Sequence, residues 1–181
     1  MPDGAEEGIK RGMYCLQPRK NADVRLLASG PILKEAIAAA ALLKEKQGID
    51  AEVWSVTSFT ELSRDGVAAQ RDERLGVDSR QPFVTQQLAG SAAPVIAASD
   101  YVRAVADSIR AFVPAPCVTL GTDGFGRSDT RANLRDFFEV DARWIAYTAF
   151  SELMRGKNPE AIRQFAQALE LDLSKPLPAS V

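Results

Sequence analysis

From Val24 onward, short apolar runs alternate with helical stripes. Val24-Arg25-Leu26-Leu27-Ala28 reads as a strand. Ile32 to Gln47 carries Leu33, Ala36, Ile37, Ala40 and Leu43 at the spacing of one helical face. Pro31 suits that helix's first turn and Gly48 its end. Ala51 to Thr57 is the next strand, and Ser58-Phe59-Thr60-Glu61 is a capping box that opens a helix toward Gly66 or Leu75. Residues 71–82 are charged and weakly patterned, which predicts loop or broken helix, and Phe83 to Leu88 predicts one helical turn. Pro94 to Ala98 is a buried strand, Ser99-Asp100 caps a helix from Tyr101 to Phe112, and Cys117 to Leu120 is the last strand. Three helices follow: Thr130 to Phe138, one from Arg143 to Met154 or Arg155 capped by Asp141, and Glu160 to Leu169 opened by Asn158-Pro159. Lys175 to Val181 is a proline-bearing tail.

Upstream, Met13 to Gln17 is a further strand, joined to Val24 by the turn cluster Pro18 to Asp23. That connection is too short for the crossover parallel neighbours need, so this strand is expected to run antiparallel to the one after it. Residues 1–12 are polar and read as a linker, leaving 13–181 as one domain. Strand–helix alternation argues a parallel sheet with helices on both faces. The expected fold is α/β: a three-layer α/β/α domain whose mostly parallel sheet has about five strands, one of them an antiparallel edge.

Composition narrows the chemistry. The 181 residues are 46% hydrophobic and 25% charged, enough for one core, and the net charge of −2 gives no electrostatic case for nucleic acid. No apolar run approaches the roughly 20 residues of a membrane span, and the first residues lack the basic start of a signal peptide, so a cytoplasmic protein is expected. Cys15 and Cys117 fall inside strands and read as buried free thiols. There is no histidine, which excludes Ser-His-Asp and Cys-His catalysis and any imidazole shuttle, and with two cysteines leaves no usual zinc site.

The stretch richest in chemistry is Gly121-Thr122-Asp123-Gly124-Phe125-Gly126-Arg127-Ser128-Asp129, between the last strand and the next helix. Its three glycines permit positive φ angles. One reading is a structured turn in which Arg127 pairs with Asp123 or Asp129 and Asp129 caps the helix. The other is recognition by a loop on a rigid scaffold. Open parallel sheets bind ligands beyond the carboxyl ends of their strands. Here those ends carry Ser29, Thr57, Ser99 and Asp123, a polar rim able to hold an anion or a partner's loop. The same residues also suit caps and turns. Neither G-x-x-x-x-G-K nor G-x-G-x-x-G after a strand is present, so a nucleotide site has little support.

The run G-T-D-G-F-G-R-S-D, continued by T-R-A-N-L-R-D-F-F-E-V-D-A, resembles the C-terminal domain of the homodimeric pyruvate dehydrogenase decarboxylases, thiamine diphosphate enzymes of the transketolase superfamily. V-W-S-V-T-S-F-T-E-L-S-R-D-G from Val53, Ser99-Asp100-Tyr101, Phe112 to Ala115 and the start of the chain from Pro2 resemble it too; 70–92 and the tail do not. The resemblance implies a transketolase C-terminal-domain-like fold within a longer, homodimeric chain. In that family the cofactor and a magnesium ion lie between two upstream domains, and the third domain supplies few or no contacts to them. The implied role is structural and dimer-stabilising, and the chain alone is expected to be inactive, with no catalytic, cofactor or metal residues of its own. The expected partners are the upstream domains, a second subunit and the dihydrolipoyl acetyltransferase core, whose lipoyl group the parent enzyme acetylates after decarboxylating pyruvate. Asp123, Phe125, Arg127 and Ser128 are then candidates for an interdomain surface. Two alternatives remain: a free-standing ligand-binding or regulatory module using the rim, and a domain of a transketolase-type enzyme, against which the S-V-T-S-F-T-E-L run argues.

Overall fold

A computed structural model describes residues 2–77 and 79–180. Its five strands are β1 (Met13–Gln17), β2 (Val24–Ala28), β3 (Ala51–Val56), β4 (Val95–Ala98) and β5 (Cys117–Leu120). They form one sheet in the order β1-β3-β2-β4-β5. β2 pairs in parallel with β3 and β4, β4 pairs in parallel with β5, and β1 is the antiparallel edge. The partner of β1 is β3, with Met13 opposite Val56, and not the β2 that follows it in sequence. The direction argued from the short connection holds, but that connection steps over a strand inserted later in the chain.

The central strand is buried along its whole length. Its alternating side chains enter two different cores, as the period of two demands. Val24, Leu26 and Ala28 face one core with α2 (Ile32–Gln47), α7 (Ala142–Met154) and α8 (Pro159–Ala168), where Phe150 and Phe165 pack with ring centroids 4.7 Å apart. Leu27 faces the other with Phe59 and Leu62 of α3 (Phe59–Leu75) and Phe83 and Leu88 of α4 (Phe83–Leu88). Arg25 shares that second face. Its Nη1 donates to the Leu88 carbonyl at 2.6 Å and its Nε lies 3.4 Å from Glu52. A guanidinium this buried is tolerable only because it is paired.

Most caps follow the sequence. The Ser58 hydroxyl accepts from the Glu61 amide, Asp141 from that of Trp144 and Asn158 from that of Ala161. Gly48 and Gly76 end α2 and α3 in the left-handed conformation. α3 runs on to Leu75, so the charged stretch from Arg71 is helical over its first five residues. Three expectations are corrected. Within 1–12, Glu6–Arg11 form a helix, α1, with acidic residues in its first turn and basic ones in its last. The Gly12 carbonyl that follows accepts from Thr57 and Ser58, tying the segment to the sheet. The expected helix from Tyr101 to Phe112 is instead a short α5 (Arg103–Asp107) followed by a 3₁₀ turn over Arg110–Phe112. Ser99-Asp100 does not cap it: the Ser99 hydroxyl accepts from the Tyr101 amide, and the Asp100 and Tyr101 carbonyls accept from Thr122. Finally, α6 (Arg131–Phe137) is capped by Thr130, whose hydroxyl accepts from Asn133, and not by Asp129.

One close approach sets a test. A Cβ added at Gly66 in α3 would lie 2.3 Å from the ring of Phe112. Gly66→Ala is expected to lower stability by about 1–3 kcal/mol through overpacking, despite alanine's better helix propensity. Denaturant melts of wild type and variant check it; an unchanged or raised midpoint would show that the contact between α3 and the Arg110–Phe112 turn is loosely packed.

Candidate functional site

The carboxyl ends of β3, β2, β4 and β5 lie along one edge of the sheet, and strand order reverses between β2 and β4. Such a reversal opens a crevice. Here a cleft of about 740 Å³ is lined by Pro31 and Ile32 after β2, Asp100 after β4, the 121–129 loop and α6. Its floor is apolar, with Ile32, Leu134, Phe138 and Val140, and Arg127, Asp129, Arg131 and Arg135 also line it. Arg135 is already paired with Glu35 at 2.6 Å, and the second Glu35 oxygen accepts from the Ala142 amide at 3.0 Å.

The rim residues are largely committed to the fold. Thr57 donates its hydroxyl to the Ile9 carbonyl at 2.8 Å and so anchors α1. Ser99 is wholly buried, and its Oγ accepts from the Tyr101 amide at 3.2 Å. Ser29 Oγ is shielded from solvent with no hydrogen-bond partner. Asp123 accepts from the Arg103 amide at 2.8 Å through Oδ1 and faces the Arg103 Nε at 3.4 Å through Oδ2. It therefore satisfies the first amide of α5 from 20 residues away, as a cap supplied by another segment.

The loop itself is pinned at both ends. Thr122 donates its hydroxyl to the Asp100 carbonyl and its amide to the Tyr101 carbonyl. Gly121 passes so close to the 101–103 backbone that a Cβ there would stand 2.7 Å from Arg103. Gly124 has φ +97° and lies against the Pro178 carbonyl of the tail, the one loop glycine that uses a positive φ. Arg127 pairs with neither Asp123 nor Asp129, as the sequence suggested; its guanidinium lies 4.1 Å from the centroid of the Phe137 ring. Asp129 accepts from the Thr130 amide and the Asn133 side chain. Ser128 is exposed, and Phe125 is 85% exposed.

Sequence reasoning missed the tail as a participant. Lys175 donates to the carbonyls of Asp136 and Phe137 at the end of α6 and sits 4.2 Å over the Trp144 ring. Cations favour helix C-termini, so this lysine holds the tail against α6. Pro178, buried, then meets Gly124. Burial raises the Glu139 carboxyl above its ordinary range, with the nearby Lys175 opposing. The only sequence signal was the Lys-Pro-x-Pro run, which composition marks as tail.

Both cysteines are free. Burial pushes the Cys15 thiol up to about 12, with Glu52 adding to the effect, and burial pushes Cys117 up to about 11. Among the described residues, no group of three or more His, Cys, Asp or Glu is placed to hold a metal ion, and no helix is long and apolar enough to cross a membrane.

Sheet order, crevice and braced loop define a class: an open α/β/α domain whose strand-end edge is finished by a rigid connection. Comparison with known proteins narrows it. The model of the transketolase-like C-terminal domain family matches residues 12–141, and the chain belongs to that family. It is 46% identical to the pyruvate dehydrogenase E1 component of Cupriavidus necator over all of this chain and 21% of the relative. It is 50% identical to that of Pseudomonas aeruginosa over 84% of this chain and 18% of the relative. The chain thus spans about a fifth of these relatives' length. Among solved structures, Leishmania mexicana transketolase superposes with a TM-score of 0.55 at 20% identity, over 96% of this chain and 20% of that one. A Pichia stipitis transketolase gives 0.57 at 21%, over 82% and 19%. These share the fold.

Two outcomes test the site. Asp123→Ala is expected to cost about 1–2 kcal/mol, since it strands the Arg103 amide, and to speed amide exchange across 121–126; unchanged exchange would place the restraint elsewhere. Both thiols are expected to resist alkylation in the native protein at pH 8 and to react on denaturation. Their folded pKa values lie above the unfolded ones, so this contribution to stability is complete below about pH 9 and is lost as pH rises toward 11 to 12. Rapid native labelling would contradict it.

Proposed function

We propose that this chain is the third, structural domain of a cytoplasmic pyruvate dehydrogenase E1-type enzyme. On this reading the parent polypeptide decarboxylates pyruvate oxidatively and acetylates the lipoyl group of a dihydrolipoyl acetyltransferase core. This domain braces the fold and the homodimer and takes no part in the bond-making steps. The observation that carries the reading is the 46% identity to an E1 component over the whole chain. Likeness to the two transketolases above stands at 20–21%, which puts the pyruvate branch ahead of a transketolase-type enzyme.

The donor set here does not suit thiamine diphosphate with magnesium. A diphosphate–magnesium unit calls for hard oxygen ligands converging on one point. The rim's Thr57, Ser99 and Asp123 are each bonded to backbone, and among the described residues no group of three or more carboxylates is placed to hold a metal ion. On this reading the cofactor belongs to the upstream domains. No step is routed through this chain, whose contribution is to keep those domains in place.

The loop carrying Asp123, Phe125, Arg127 and Ser128 is the surface proposed to meet a neighbouring domain. In the parent enzyme, replacing both Asp123 and Arg127 with alanine is expected to weaken dimerisation, read as a raised dissociation constant in sedimentation. An unchanged constant would remove the loop from the subunit interface. A second reading, a small-ligand module, is favoured by one feature, the cleft at the strand-order reversal. Stabilisation of the chain by a small anion in a melting screen would bring it forward.

A further inference from the structure

Among the described residues, eight large hydrophobic side chains are exposed. Four of them, Tyr101 (65%), Val102 (51%), Phe125 (85%) and Leu177 (60%), lie on three segments that touch one another. Thr122 bonds back to the 100–101 backbone, and Gly124 rests on the Pro178 carbonyl. Phe125, next to Gly124, is the most exposed of the four. Exposed apolar side chains scattered singly need no explanation, but a gathered set marks a contact surface.

The construction beneath Phe125 sharpens the point. On one side Asp123 caps α5 and pairs with Arg103, while Arg103 and Arg110 both reach Asp107, and Arg110 and Asp107 bond Thr119 of β5. On the other side Arg127 stacks on Phe137 and Asp129 holds Asn133. Behind the loop, the tail is fixed through Lys175. Asp123, Arg127 and Asp129 thus spend their contacts on the fold, and among the described residues Phe125 has no aromatic or cation partner. A rigid loop presenting a bare aromatic has already met the ordering cost of binding, and aromatic anchors of this kind dominate interface energetics.

We infer that Phe125 is a docking knob, held out to enter an apolar pocket on the preceding part of the same polypeptide. The inference rests on the reading that this chain is one domain of a longer enzyme, and it reassigns the loop. Asp123 and Arg127 are struts, and Phe125, with Tyr101, Val102 and Leu177 on the adjoining segments, makes the contact. The occupant is the parent chain because the relatives are about five times longer than this segment, so most of the surface this domain would meet lies outside it.

The experiment compares the natural full-length polypeptide with its Phe125→Asp variant, and with Val67→Asp as a control exposed elsewhere, on α3. Amide exchange of 101–102 and 121–126, and the rate of proteolytic separation of this domain, are measured at protein concentrations spanning monomer and dimer. The knob predicts protection in wild type at every concentration. In Phe125→Asp that protection is lost and separation is about tenfold faster, while the control behaves as wild type. Equal behaviour of all three proteins overturns it. Protection that appears only in the dimer also overturns it, by making the second subunit the occupant. Turnover of pyruvate by the wild-type polypeptide is assayed in parallel: its absence defeats the reading of the enzyme, whereas the docking result stands or falls on exchange and proteolysis.

Discussion

The structure depends on a central strand that must be buried on both faces. β2 can satisfy that demand only with strands on both sides and helical layers above and below it. β3 completes one side and β4 the other, so the order of strands has to reverse beside β2. Both the crevice and the line of strand ends follow from this packing requirement. Arg25 shows how strict it is, because a cation on this strand survives only with Glu52 beside it and the Leu88 carbonyl in its grip.

The edge is finished by bonds between distant segments. Asp123 caps α5 from the far side of β5, Thr57 holds α1, and Lys175 closes the end of α6. Each gives a helix-end backbone group a partner from elsewhere in the chain. The result is an edge in which much of the polar chemistry is spent inside the fold, while Phe125 stands exposed among polar residues such as Ser128.

The architecture was legible because it is written in local patterns. Strand runs, helical stripes and the caps at Ser58, Asp141 and Asn158 each sit within a few residues of what they control. The loop was legible as special, since Gly121, Thr122, Asp123 and Gly124 crowd requirements that a plain turn lacks. Its wiring was not. Asp123 and Arg103 are 20 residues apart, and Gly124 meets Pro178 across 54 positions, so no spacing rule joins them. The pairing of β1 with β3 was hidden for the same reason: the strand nearest in sequence was not the nearest in space. The N-terminal helix was masked by polarity, because its six residues bury none of their number.

The central claim is that this domain works as part of a much longer enzyme. The intact mass of the natural polypeptide containing this sequence tests it most directly. A product several times heavier than the 181-residue chain, carrying the preceding cofactor-binding domains, is the predicted result. A mature product no larger than this chain would contradict the account.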